Sequence, residues 1–215
     1  RGNSAIYIQN IATGARELVT SFRGINSAPA FSPDGRKLAL TLSRSGNPEV
    51  YSMDLGSKQL TQLTNHLAID TEPTWAPDGS AVYFTSDRGG RPQVYKVSAS
   101  GGSAERVTFQ GNYNAKPSVS WDGKKIAVAQ GSGNSYKVAM MDSSLGSPRW
   151  STLSTGSLDE SPSFAPNASM VLYAAREGGR GVLYAVSADA RVRQRLVLAD
   201  GDVREPAWSP YRTKR

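Results

Sequence analysis

The sequence repeats itself about every 44 residues. Residues 72–79 read Glu-Pro-Thr-Trp-Ala-Pro-Asp-Gly, and related octets stand at 28–35, 116–123, 161–168 and 205–212. Their leading prolines, Pro29, Pro73, Pro117, Pro162 and Pro206, lie 44, 44, 45 and 44 residues apart. That period falls in the range for four-stranded propeller blades, roughly 40 to 50 residues each. With 21 glycines, 12 prolines and 38% apolar residues, the composition suits short strands and tight turns better than helices or disorder. The expected fold class is all-β: a β-propeller of four-stranded antiparallel blades, read as one domain.

Each repeat reads strand by strand. The inner strand is expected to begin at the proline, with an aromatic two residues on (Phe31, Trp75, Phe164, Trp208; Val119 in the third repeat) wedged between blades. Ser32-Pro33-Asp34-Gly35 matches a type I turn into strand two, whose apolar pairs include Leu38 with Leu40 and Val82 with Phe84. Strand three is expected at 50–55, 94–99, 137–142 and 182–188, and strand four at 59–64, 105–109, 150–154 and 194–198. Residues 1–27 make a partial blade, 28–71, 72–115, 116–160 and 161–204 are complete repeats, and 205–215 is a lone closing inner strand. Counted so, about nineteen strands are present of roughly twenty-four in a six-bladed parent, which places about five upstream.

Several chemistries are excluded or disfavoured. There is no cysteine, so disulfides, thiolate metal sites and cysteine nucleophiles are absent. The single histidine, His66, has no Gly-x-Ser-x-Gly elbow anywhere to serve, and it reads as a loop residue. Glycine-rich stretches at 100–103 and 178–181 lack the lysine and helix of a phosphate loop. No uncharged apolar run approaches the roughly 20 residues of a membrane span, so no direct membrane insertion is expected. The net charge of +7 favours an acidic partner. Nucleic acid is not expected, because no aromatic stacking platform accompanies the basic last third.

The loops leading into the inner strands are the informative part, since in a propeller they converge on one face around the channel. Three residues before each proline stand Asn26, Asp70, Asn114 and Asp159, with Val203 breaking the series. Such residues can cap the strand start through local backbone bonds. They could also form a ring of oxygens for a hard cation, so calcium is a possible ligand at Asn26, Asp70, Asn114 and Asp159, though no cofactor is required. Next to them the repeats diverge: Ser27 and Ala28, Thr71 and Glu72, Ala115 and Lys116, Glu160 and Ser161, Arg204 and Glu205. Ile25, Leu67, Ile69, Tyr113 and Leu158 add apolar side chains to the same loops. A fixed framework with variable tips, apolar at the centre and charged at the rim, is the make-up of a protein docking site.

Longer stretches carry a family resemblance over essentially the whole chain. They include residues 85–97 (Thr-Ser-Asp-Arg-Gly-Gly-Arg-Pro-Gln-Val-Tyr-Lys-Val), 71–75 (Thr-Glu-Pro-Thr-Trp), 158–162 (Leu-Asp-Glu-Ser-Pro) and 206–211 (Pro-Ala-Trp-Ser-Pro-Tyr). At these motifs the chain resembles the TolB propeller family of the Tol-Pal system in the Gram-negative envelope. The resemblance implies a six-bladed, non-enzymatic propeller that follows a smaller α/β domain in the periplasm. It implies docking of the lipoprotein Pal on the face built by the inner-strand loops, in support of outer-membrane integrity and cell division. Other Tol proteins and colicin translocation segments are implied as further partners. The partner-binding positions so implied are Ile25, Asn26, Ser27, Thr71, Glu72, Asn114, Lys116, Glu160, Arg204 and Glu205. Trp121 in place of the turn proline, and Asn167-Ala168 in place of Asp-Gly, depart from the pattern. The alternative reading is a regulatory propeller of a prolyl-oligopeptidase-type serine peptidase.

Overall fold

The computed structural model describes residues 4–196 and 201–210, and these contain strands and turns but no helix. Strands β1 (Ile6–Gln9) and β2 (Arg16–Thr20) pair as a two-stranded antiparallel sheet. Four further sheets each take four consecutive strands in meander order. They are β3 (Asn26–Phe31) to β6 (Leu60–Gln62) with β4 (Lys37–Leu42) and β5 (Glu49–Asp54) between, and β7 (Asp70–Trp75), β8 (Ala81–Ser86), β9 (Gln93–Ser98) and β10 (Glu105–Arg106). Then come β11 (Asn114–Val119), β12 (Lys125–Ser132), β13 (Ser135–Asp142) and β14 (Arg149–Thr152), and β15 (Glu160–Phe164), β16 (Met170–Glu177), β17 (Arg180–Ser187) and β18 (Arg193–Leu196). The fold is the expected β-propeller of four-stranded antiparallel blades. The chain divides into two compact units, residues 1–107 and 108–215, the first holding β1 to β10 and the second β11 to β18.

Blades pack face to face within each unit, which is why strand two is apolar on both sides. In the first unit Ala39, Val50 and Leu63 meet Trp75, Val82, Phe84 and Val97, all buried. In the second, Val138, Met140 and Leu153 meet Phe164, Val171, Tyr173 and Val186. Each such fully buried side chain contributes about 1.5–3 kcal/mol. The aromatic wedge holds where complete blades lie on both sides of it: Trp75 and Phe164 are buried, Trp75 Nε1 donates to Ala30 O at 3.1 Å, and Trp208, with no blade of its own among the described residues, is exposed. Phe31 is exposed too, because β1 and β2 ahead of it supply neither an inner nor a second strand to cover the ring.

The inner strands correct the expectation in one respect: β3, β7 and β11 start three residues before their proline and β15 two, rather than at it. The reason is a bulge. The ladder slips between Ser27 and Ala30, Thr71 and Thr74, Ala115 and Ser118, and Glu160 and Ser163. At each slip the residue before proline is left-handed: φ is 49° at Ala28, 55° at Glu72, 52° at Lys116 and 56° at Ser161. One residue at positive φ lets the strand absorb the proline, which has no N–H to give, and resume pairing on both sides of it.

The fourth strands are shorter than expected. The amides of Leu63 and Thr64 both turn to Val50 O, at 2.9 and 3.3 Å, and those of Leu153 and Ser154 both turn to Val138 O, at 2.8 and 3.3 Å. Two donors on one carbonyl end the ladder there. A buried hydroxyl then takes the amide of strand three: Val50 N donates to Thr64 Oγ1 and Val138 N to Ser154 Oγ, both at 2.9 Å.

Residues 205–210 belong to no strand, in place of the nineteenth expected, because no second strand pairs with them among the described residues. Their backbone still follows the repeat: Glu205 has φ 48°, and Trp208 N donates to Ser163 Oγ at 3.0 Å as Phe164 N does to Ser118 Oγ at 3.1 Å. Residues 211–215 of that expected strand, and Val197 and Leu198 of the fourth strand before it, lie outside the described residues. The turns survive both departures from the motif. Gly35, Gly79, Gly123 and Ala168 all donate to the carbonyl three residues back at 2.8 or 2.9 Å, and Asn167 Oδ1 takes the Ser169 amide as Asp34 Oδ1 takes that of Arg36.

Candidate docking face

The Asn/Asp series lies buried at the strand starts; Asn26, Asn114 and Asp159 tie down their own loops, and Asp70 reaches Arg88. Asn26 accepts the Phe22 amide on Oδ1 at 2.9 Å and donates Nδ2 to the Phe22 and Gly24 carbonyls. Asn114 donates to Gln110 O at 2.8 Å and accepts Gln130 Nε2 at 3.1 Å. Asp159 Oδ2 accepts the Gly156 amide at 2.8 Å, and a Cβ on Gly156 would strike that carboxylate. Asp70 Oδ2 accepts Arg88 Nη2 at 2.5 Å, while its Oδ1 is buried without a hydrogen-bond partner. Burial pushes the Asp70 carboxyl above the ordinary carboxylate range, with Arg88 pulling it back and buried Glu49 adding to the rise.

Val203, where the series breaks, keeps the backbone half of the device. Its amide donates to Gly181 O at 3.0 Å, as Asp70 N does to Pro48 O and Asp159 N to Tyr136 O. The side-chain half passes to Asp202, whose Oδ1 accepts the Gly181 amide. That bond, and Arg204 at 2.9 Å, hold the Asp202 carboxyl below its usual range.

In the first unit the divergent residues sit above this framework. Ile25 is half-exposed, and Ser27 stands opposite Thr41 in the ladder. Thr71 Oγ1 lies 3.3 Å from Thr41 Oγ1, and Glu72 Oε2 accepts Thr85 Oγ1 at 2.9 Å. The loop before β7 is held from several sides. Glu49, itself buried, accepts Thr64 Oγ1 and the His66 amide; Asn47 donates to His66 O and Ala68 O; Asp87 accepts the Ile69 amide. Leu67, 98% exposed, and Ile69 are thereby offered outward on a fixed loop. His66 Nδ1 accepts the Ala68 amide at 3.0 Å, a structural bond.

In the second unit Lys116 gathers two of the other expected residues, Glu160 and Glu205, together with Ser161. Its Nζ lies 3.3 Å from Glu205 Oε1, 3.6 Å from Glu160 Oε2 and 3.0 Å from Ser161 Oγ. Arg204 turns away to Asp202. Beside the cluster opens a cavity of about 230 Å³ with Lys116, Glu160, Arg176, Asp202 and Arg204 around it and Tyr113, Tyr136 and Leu158 in its walls. Tyr136, Arg176, Asp202 and Arg88 were not singled out as site residues from the sequence. Arg88 alone had a signal, inside the 85–97 stretch.

Among the described residues no group of three or more His, Cys, Asp or Glu sits together, and the oxygens of Asn26, Asn114 and Asp159 serve their own loops. No helix is long and apolar enough to cross a membrane.

Bulged inner strands on a repeated, locally bonded framework, carrying tips that differ from blade to blade, define a β-propeller with variable loop tips. The chain belongs to the TolB beta propeller domain family, whose model matches residues 1–212. It is 86% identical over 213 residues to the Tol-Pal system protein TolB of Xanthomonas oryzae pv. oryzae strain PXO99A, and 85% identical to that of Xanthomonas campestris pv. campestris strain B100. Each alignment covers 99% of this chain and 48% of the relative, so the chain spans about half the length of the curated relatives it matches. The crystal structure of TolB from Acinetobacter baumannii is 51% identical, with a TM-score of 0.89 over 97% of this chain and 52% of that one.

Proposed function

We propose that the chain is the propeller part of a non-catalytic periplasmic adaptor of the Tol-Pal system, which docks Pal through the loops preceding its inner strands. The observation that carries this is the contrast at each strand start: a buried polar side chain and bulge that repeat, followed by residues that do not, most of them exposed or half-buried, Ala115 and Ser161 being buried. Ile25, Ser27, Thr71 and Glu72 in the first unit, and Lys116, Glu160, Arg204 and Glu205 in the second, are the contact residues; Asn26 and Asn114 position them. Through that contact the protein links outer membrane and peptidoglycan to the inner-membrane Tol proteins and supports constriction at division. Colicin translocation segments use the same face. Membership of the TolB family supports the reading, as does the structural use of His66, which leaves it no nucleophile to serve.

Calorimetric titration of soluble Pal from the same organism into the full-length protein tests it. Saturable binding is expected, weakened about tenfold or more by Glu72→Arg, the scale of a residue central to an interface. Circular dichroism should show the variant folded. Absence of binding to the wild-type protein overturns the reading; unchanged affinity in the variant removes Glu72 from the contact.

A further inference from the structure

Resting on the docking reading above, we infer that the second-unit cavity is the anchor pocket of that face, taking one large apolar side chain from an acidic segment of the docking protein. The cavity exists because side chains stop short. Ala115, Ala129, Ala174 and Ala175 are buried around it, and each ends at a methyl group. Its walls are fixed by close backbone approach. The rings of Tyr113 and Tyr136 meet edge to face with centroids 5.2 Å apart, both resting on Gly131, where a Cβ would lie 3.0 Å from each. On the other side the backbone of 202–203 docks on Gly181, where a Cβ would strike Val203 O at 2.0 Å. Neither wall needs to move to receive a ligand, which keeps the ordering cost of binding low.

Size and polarity select the occupant. Pockets for drug-sized ligands run to about 300–1,000 Å³. At about 230 Å³ this one suits a single side chain, and an aromatic-walled, apolar-floored recess in a contact face is where interface anchors sit. The rim carries three cations, Lys116, Arg176 and Arg204, against two anions, Glu160 and Asp202. Lys116 is already shared by Glu160 and Glu205, and Asp202 is shared by Arg204 and, at longer range, Arg176. With Glu205 the charges balance in number, and Arg176, which meets Asp202 only at longer range, is the cation beside the opening left to take an acidic residue next to the anchor.

The test fills the pocket and reverses its rim. Soluble Pal is titrated into full-length Ala174→Leu, which occupies the cavity from its floor, and into Arg176→Glu, which lies outside the core. Filling should weaken binding about tenfold or more. Reversal should weaken it and flatten its dependence on salt. In alanine-methyl NMR of the wild-type protein, the methyls of Ala174 and its neighbours Ala115 and Ala129 should shift as Pal is added, more than that of Ala175, which packs in the core between blades. Should Ala174→Leu fail to fold, Arg176→Glu and the methyl shifts decide. If Pal binds and Glu72→Arg weakens it, while the pocket variants stay within about twofold and the methyls do not move, the anchor pocket is wrong and the docking reading stands. If Pal does not bind at all, both fall.

Discussion

At the start of β7 the side chain that secures the loop is a buried carboxylate held by Arg88; 44 residues on, at the start of β11, it is an amide held by Gln130. The places are equivalent: Asp70 pairs with Ser86 across the ladder, and Asn114 with Gln130. What the two places share is therefore a buried hydrogen-bonding side chain at the strand start, and charge is optional. The two solutions differ in what they risk. An amide pair is modest to make and to lose. A buried ion pair is costly to desolvate and severe to break, and Asp70, fully buried with one oxygen unpartnered, lies at the costly end. Arg88 offsets part of that by stacking over Phe84 and Tyr95, 5.4 and 5.0 Å from their centroids.

The largest expected effect breaks the charged solution. Arg88→Ala leaves Asp70 buried without its charge partner, with only the Ser86 and Thr64 hydroxyls beside it, and should lower the unfolding free energy by about 3–5 kcal/mol in denaturant titration. Gln130→Ala at the matching place should cost about 1 kcal/mol. Transplanting the neutral solution, Asp70→Asn with Arg88→Gln, should come nearer the wild type than Arg88→Ala does; a double variant as unstable as Arg88→Ala would mean the charge itself is needed.

A smaller effect appears in the pH dependence. The folded carboxyl of Asp70 is raised by burial, so the folded state binds its proton more readily than the unfolded chain does. Stability then falls as pH rises from the ordinary carboxylate range through the raised value. The turn aspartates Asp34, Asp78 and Asp122 are lowered, chiefly by hydrogen bonds from Ser32, Ser80 and Ser120 respectively, and act the other way. Their contribution is present above the ordinary value and lost as pH falls through the lowered one. Melting curves of Asp70→Asn from pH 4 upward should lack the first component and keep the second. The smallest effect expected is none: Pal affinity should be equal in calcium and in chelator, since the loop oxygens are already bonded. A calcium-dependent affinity would give the unpartnered Asp70 oxygen a ligand.

The turns were legible because their chemistry is local. Residues 120–123 lack the proline and 167–168 lack Asp-Gly, yet each closes through a side-chain oxygen two or three residues from its partner. The local bonding of Asn26, Asn114 and Asp159 was legible for the same reason, whereas Asp70 holds Arg88 instead. Their partners Arg88 and Gln130 were not, because they arrive from the next strand, 18 and 16 residues away. Strand starts were misplaced by two or three residues because the bulge depends on a backbone angle at alanine, glutamate, lysine and serine, none of which announces it as glycine would. The cavity was invisible for a different reason: alanines and glycines mark it by what they lack, and a missing side chain looks the same in a wall as in a turn.

The left-handed backbone ahead of each proline has a consequence for how such a face diversifies. Ala28, Glu72, Lys116, Ser161 and Glu205 occupy it, and three of them, Glu72, Lys116 and Glu205, stand among the proposed contacts. Positive φ is costliest for β-branched side chains. Valine, isoleucine and threonine are thus filtered out of these recognition positions before any partner is met. The scaffold leaves an alphabet of small and long unbranched residues in which specificity can be written. Relatives that change partners should substitute within that alphabet here, and reach the branched residues only one position earlier, where Thr71 already stands.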